Sequence, residues 1–249
     1  MGFASNRAFK VAGGAVFEKD GTPKASLLRA MERAVEVQRP LVLANIRRLQ
    51  RKHPDATPSE LVSIIEKHYL ATVTGGGAAV GATAVVPAIG TMAALGLSAA
   101  ATVGFLEATA LFAQSVAELH GVQLLDPERS RTMVMAIMLG EEGTAMMQSV
   151  AGRGGKPWAS SLGGMSSGLM GGVGSSIRKQ FMKRVVARQG TAMLGRALPL
   201  GIGAVVGGAG NHAMGKGVIK TARKAFGPAP ETISGELAED LRKLPDSPA

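Results

Sequence analysis

Gly164-Met165-Ser166-Ser167-Gly168 has the G-x-S-x-G spacing of a nucleophile elbow, in which a strand-to-helix turn exposes a serine for acyl transfer. That chemistry needs a strand before the serine and, in the usual hydrolase order, an acid and then a histidine after it. No Asp or Glu lies between Ser166 and His212, and no strand pattern precedes the motif. Ser166 therefore reads as a small packing residue. Gly210 to Gly217 runs G-x-x-x-x-G-K, but Gly217 stands where a phosphate loop needs the Ser or Thr that ligands magnesium. Gly201-Ile202-Gly203 opens a dinucleotide fingerprint whose third glycine falls one place late, at Gly207, with no ribose-binding acid after it. His53, His68, His120 and His212 are scattered with no i, i+4 pair, and the chain has no cysteine, so neither a metal triad nor a thiol nucleophile is indicated. Glu141-Glu142 interrupts an apolar, Met-rich stretch and reads as a solvated face, since adjacent residues point in different directions on a helix. No catalytic residue, cofactor or metal site is expected.

The chemistry that does stand out is charge. Arg178 to Lys224 holds ten basic residues and no acidic one, while the rest of the chain balances 18 basic against 18 acidic residues. All of the net charge of +10 comes from that stretch. It encloses Ala197 to Gly215, nineteen residues without a formal charge. A positive field beside an apolar segment suggests an anionic membrane surface. The candidate binding residues are Arg178, Lys179, Lys183, Arg184 and Arg188 on one helix, and Lys216, Lys220, Arg223 and Lys224 on a second. Phe181, Val185 and Val186 would give the first an apolar face beside its charges. Nucleic acid is a weaker reading, because aromatic stacking platforms and recognition motifs are missing.

The elements that must position these residues are helical. Lys24 to Lys52 is amphipathic, with Leu27, Leu28, Met31, Val35, Leu41, Ile46 and Leu49 near one stripe, and Pro40 should kink or split it. Thr57-Pro58-Ser59-Glu60 offers an N-cap hydroxyl, a first-position proline and a capping Glu, so a helix is predicted from Pro58 to about Val73. Tyr69 to Leu106 carries no formal charge over 38 residues; as one helix it would be about 57 Å long, against about 30 Å of hydrocarbon. Pro87-Ala88-Ile89-Gly90 divides it into two arms of a hairpin. The second arm runs to His120, with Gly96, Ala100, Gly104 and Ala108 as a smooth ridge for a neighbouring helix and Glu107, Gln114 and Glu118 on a wetter face. Asp126-Pro127 restarts a helix that carries Met133, Ile137, Met138, Met146 and Val150.

Pro157 to Ile177 is Gly/Ser-rich, with Gly164, Gly168 and Gly172 every four residues; a loop with a partial helix is expected, a tightly packed helix being the alternative. A cationic helix, Ile177 to Gln189, follows, then the apolar segment, then a second cationic helix, Lys216 to Phe226. Ala197 to Gly215 is long enough to span a bilayer, but Pro199, six glycines and positive flanks at Arg196 and Lys216 argue for a buried or re-entrant arm. The first hairpin reads the same way, as only 11 of its 38 residues are Leu, Ile, Val or Phe. Beyond Pro228 and Pro230 the tail is acidic, and Leu237, Leu241 and Leu244 allow one short amphipathic helix.

With 249 residues the chain can bury one sizeable core. Its 34 glycines and 4% aromatics make small residues dominate the interior. The N-terminal stretch lacks the continuous apolar core of a secretory signal, and Asn6 breaks a myristoylation motif.

The sequence resembles the EcsC protein family of bacteria. The resemblance rests on Pro87-Ala88-Ile89-Gly90-Thr91 opening a small-residue helix that ends at Gly121 and leads into Leu125-Asp126-Pro127-Glu128. It continues in Leu198-Pro199-Leu200-Gly201-Ile202-Gly203-Ala204, followed by Gly207, Asn211 and a basic helix. It covers roughly Thr57 to Phe226; His120 stands where an aromatic is expected. It implies a helical bacterial protein, named through an operon encoding an ABC transporter, with no catalytic residues to carry over.

These readings combine into an all-α bundle in which amphipathic helices shelter two Gly/Ala-rich apolar hairpin segments. Residues 1–23 form an N-terminal extension, 24–227 the helical domain and 228–249 an acidic, mobile tail. The expected function is non-enzymatic association with the cytoplasmic face of an anionic membrane, peripheral or re-entrant, accessory to a transport or envelope system. Its partners would be anionic lipid headgroups and a membrane protein complex. A soluble helical adaptor whose apolar hairpins form its core is the alternative. The acidic tail is further expected to fold back on the basic helices and compete with lipid.

Overall fold

The computed structural model describes residues 24–83, 91–151, 157–194 and 202–245, with side chains throughout except in 80–83, 91–98, 186–194 and 202–206. It is an all-α bundle, with no strand among the described residues. Helices α1 (Ala25–Ala34) and α2 (Arg39–Lys52) replace the first amphipathic stretch. Pro40 sits in the first turn of α2, where its missing N–H costs nothing. Leu27, Met31, Val42, Ile46 and Leu49 turn into the core, whereas Leu41 is exposed and off the stripe.

Helix α3 (Pro58–Thr83) starts at the expected capping box and runs ten residues past Val73. The Thr57 N–H donates to Glu60 Oε2 at 2.8 Å, and the Glu60 N–H donates to Thr57 Oγ1 at 3.3 Å. The backbone and hydroxyl bonds from Thr57 hold the Glu60 carboxyl below its ordinary value. Thr57→Ala removes the hydroxyl that caps the helix and should cost about 1 kcal/mol, read as a lower urea midpoint with an unchanged slope.

Helix α4 (Thr91–Leu119) is the central element, touching α1, α2 and α3 and two later helices. The Pro87 to Gly90 break between α3 and α4 lies outside the described residues. Tyr69 of α3 stacks on Phe112 of α4 at 4.6 Å between ring centroids, and its hydroxyl lies 2.9 Å from Thr109 Oγ1. Because Thr109 donates its one hydroxyl proton to Phe105 O, Tyr69 must be the donor between them. Burial pushes the Tyr69 pKa up. Two expectations for α4 are corrected. Of the face thought to be wet, Glu107 is exposed, but Gln114 and Glu118 are both buried. The small-residue ridge meets no helix at Gly104, where an added Cβ would find open space.

Asp126 caps α5 (Pro127–Leu139) by accepting from the Glu128 N–H at 2.9 Å. The Met-rich stretch is two helices rather than one, because Gly140 takes φ 71°, a left-handed conformation that ends α5 before α6 (Glu141–Ala151). The Gly/Ser-rich segment is likewise more helical than expected: a 3₁₀ helix, Trp158–Gly164, leads into α7 (Ser167–Leu194). Met170, Val173, Ile177 and Phe181 form its buried stripe at spacings of three and four. Gly164, Gly168 and Gly172 meet nothing on their outer side, so they are not the packing ridge. Ser166 Oγ accepts from the Leu169 N–H at 3.4 Å, capping α7.

The described part of the second apolar segment, from Ile202, and the second cationic helix are one helix, α8 (Ile202–Phe226); residues 197–201 lie outside the described residues. It lies antiparallel to α3 in the most extensive packing of the bundle, with Gly208 against Ala78, Asn211 against Val73 and Gly215 against Leu70 and Val73. Gly227, at φ 75°, ends it. The last helix, α9 (Gly235–Lys243), buries Leu237 and Leu241. That docking corrects the expectation of a mobile tail. It also corrects the site of fold-back, since Asp240 pairs with Arg39 at 2.8 Å and Arg47 donates to Leu244 O at 2.6 Å, both on α2 rather than on the basic helices.

Candidate functional site

Eight of the nine candidate cations have described side chains, four on α7 and four on α8, and all eight are exposed. The acid-free stretch of sequence is not acid-free in space. Arg178 grips Glu32 of α1, its Nη2 2.7 Å from Oε1. Arg184 donates to Leu139 O at 2.8 Å and lies 3.9 Å from Glu142. Arg223 makes a two-pronged pair with Glu66 of α3, Nε to Oε1 at 2.8 Å and Nη2 to Oε2. Lys224 pairs with Glu141. Four of the nine are thus committed to internal contacts. The Arg188 side chain lies outside the described residues.

Glu141 and Glu142, read from sequence as a solvated interruption, are exposed but bridge the two basic helices. Glu142 accepts from Gln180 of α7, and Glu141 holds Lys224 of α8. Their place in the first turn of α6 suits carboxylates, because unpaired N–H groups point at that end. Lys224 by its hydrogen bond and charge, and Lys220 by its charge, hold the Glu141 carboxyl below its ordinary range. The hydrogen bond and charge of Glu66 correspondingly hold the Arg223 guanidinium up.

Lys179 and Lys183 on α7 and Lys216 on α8 are exposed and have no ion pair among the described residues; Lys220 is exposed with only the field of Glu141 nearby. On α8 the uncommitted cations face a groove against α3, with a volume of about 790 Å³. Lys67 is the residue that sequence reasoning missed. It stands on the α3 wall at the position after Glu66, and Lys216, Lys220, Arg223 and Lys224 stand on the other wall. Ser63, Leu70 and Ile219 complete the lining. A second groove of about 550 Å³, at the α2–α3 turn, shares Ser63 and Lys67 with it.

The apolar faces next to these charges point inward. Ile177 and Phe181 of α7 and Val218, Ala222 and Phe226 of α8 are buried, and Val185 packs against the core. They are therefore not free to enter lipid, which corrects the expectation for Phe181 and Val185; the Val186 side chain lies outside the described residues. Among the described residues, Leu41, Leu125 and Leu169 are the large apolar side chains that stand exposed. One helix among the described residues, over Ala99–Leu119, is long and apolar enough to cross a membrane, with half of that window buried. From Thr109 to Leu119 every side chain is buried except that of Leu111, which is partly buried.

The remaining motifs are absorbed by the fold. Gly210 to Gly217 lies inside α8, where the backbone N–H groups serve the helix rather than a phosphate loop. His212 bonds Thr74 across the α3–α8 seam through Nδ1 at 3.1 Å. His120 takes the place expected for an aromatic and packs its ring 5.2 Å from that of Phe226.

A cleft of about 310 Å³ between the α1–α2 junction, α4 and α5 is lined by Arg39, Gln114, Glu118 and Ser130. Arg39 donates to both Glu118 oxygens, at 2.6 and 3.0 Å, and to Asp240. The Glu118 hydrogen bond is the largest cause holding its guanidinium above its ordinary value. Glu118, buried beneath it, has its charge answered in place.

Against known proteins, no family model, curated protein or solved structure matches the chain.

Proposed function

We propose that the chain is a non-enzymatic protein that associates peripherally with the anionic cytoplasmic face of a membrane, in line with the EcsC resemblance and an accessory role beside a membrane protein complex. The observation that carries this reading is the set of exposed lysines, Lys67, Lys179, Lys183, Lys216 and Lys220, left without an ion pair among the described residues after Glu32, Glu66, Glu141 and Glu142 have taken their partners. Because the neighbouring apolar faces are buried, the association is electrostatic rather than insertive. A soluble adaptor is the second reading, favoured by the burial of α4 from Phe112 to Leu119.

The protein should pellet with phosphatidylglycerol-containing vesicles but not with neutral phosphatidylcholine, and salt alone should release it. At about fivefold per lysine near a charged surface, Lys179→Ala with Lys183→Ala should weaken vesicle partitioning roughly 20- to 30-fold. Release only by detergent would mean insertion. Absence of binding to anionic vesicles at low salt would favour the adaptor.

A further inference from the structure

We propose that the groove between α3 and α8 is a binding site for an anion carrying two linked or neighbouring phosphates, such as a pyrophosphate or bisphosphate group. The proposal deepens the membrane-surface reading and rests on it for the sign of the ligand; the ligand class comes from the groove itself.

Five cations line the groove, Lys67, Lys216, Lys220, Arg223 and Lys224, against one carboxylate, Glu66. Glu66 is consumed by Arg223, and Lys224 is consumed by Glu141 outside the lining. Three ammonium groups therefore remain for a ligand, with a net charge of plus three. The Glu66 pair does more than cancel charge. It uses the Nε and Nη2 edge of Arg223, fixing the guanidinium while Nη1 and its two N–H donors stay outside the fork. Glu66 is 7% exposed, so little of its carboxylate faces the ligand.

Position then selects the ligand. Lys216 and Lys220 are one turn apart on α8, about 6 Å along the axis, and Lys67 faces them from α3. A single phosphate, at no more than about two negative charges, satisfies two of these groups and leaves the third uncompensated. Two phosphates a few ångströms apart carry three to four charges and match both the spacing along α8 and the opposing wall. The open volume of about 790 Å³ admits such a group on a larger molecule. Lys179 and Lys183 do not line the groove, so general attraction to anionic surfaces and recognition within the groove rest on different side chains.

Isothermal titration calorimetry of the full chain with pyrophosphate, orthophosphate and sulfate at matched ionic strength tests the site. Pyrophosphate should bind at least tenfold more tightly than orthophosphate. Lys216→Ala with Lys220→Ala should lose at least tenfold, while Lys179→Ala with Lys183→Ala should stay within about twofold; circular dichroism checks that each variant is folded. Equal affinities for the two phosphates, or equal losses in the two double variants, would overturn the proposal. Vesicles then separate the sources of the shared chemistry. If pyrophosphate displaces the protein from phosphatidylinositol-bisphosphate vesicles but not from phosphatidylglycerol vesicles of equal charge, the ligand is a lipid headgroup. If it binds pyrophosphate while showing no preference between those vesicles, the ligand is a soluble diphosphate. Vesicle binding without phosphate discrimination leaves the surface reading standing and removes the groove proposal; discrimination without vesicle binding does the reverse.

Discussion

Arg39→Met is expected to destabilise the protein by about 3–5 kcal/mol, the range for removing one partner of a buried ion pair. At about 2–4 °C per kcal/mol for a chain of this size, that is a fall of roughly 6–20 °C in Tm. The reason is Glu118. Its side chain is 6% exposed and its two oxygens are held by Arg39 alone among the described side chains, so methionine leaves a carboxylate buried beside an apolar thioether. The same substitution frees Asp240 and with it one of the polar ties holding α9 to α2, so proteolysis in the last twenty residues should quicken. Arg39→Met with Glu118→Leu should recover most of the stability, because a packed apolar pair replaces a buried ionic one at little cost. A loss below about 1 kcal/mol in the single variant would place this pair with ordinary surface salt bridges.

Local signals in the sequence located helix ends well. The capping box at Thr57, the Asp126-Pro127 start and the Pro40 break all act within one turn, and no distant contact competes with them. The Gly/Ser-rich stretch misled because glycine was weighed as a helix breaker without its tertiary context. Met170, Val173, Ile177 and Phe181 already had helical spacing, and burying that stripe against α5 and α6 outweighs a propensity cost of about 1 kcal/mol per glycine. Gly174 even gains a role, since a Cβ there would stand 3.0 Å from Thr132 Oγ1 of α5.

The candidate site was half legible for a different reason. Counting charge along the chain identified α7 and α8, but an ion pair depends on distance in space. Glu32 is 146 residues from Arg178, and Glu66 is 157 residues from Arg223. No segment-wise tally brings such partners together. Lys67 was passed over for the same reason: it lies in a balanced part of the chain and becomes part of a cationic groove only when α3 packs on α8. The fold-back of the tail failed on electrostatics alone, because Leu237 and Leu241 need an apolar seat as well as positive charge, and α2 offers both.

Gly77→Ala and Gly104→Ala should move stability in opposite directions although both add a single methyl group to a helix. In α3 the new Cβ would sit 2.5 Å from Gly207 O and 2.6 Å from Asn211 Nδ2. The asparagine could swing away only by giving up its 3.0 Å bond to Val73 O, and the carbonyl belongs to the α8 backbone. Overpacking of this kind costs about 1–3 kcal/mol, against a gain of at most about 1 kcal/mol from replacing glycine in a helix. The contact should win and Gly77→Ala should lower the urea midpoint. At Gly104 no described atom lies within 4 Å, so only the propensity gain remains and the midpoint should rise. Since α3 and α8 form both walls of the basic groove, separating them at Gly77 should also weaken pyrophosphate binding, whereas Gly104→Ala should leave it unchanged. Equal effects of the two substitutions would mean that the glycines set helix propensity rather than the α3–α8 distance.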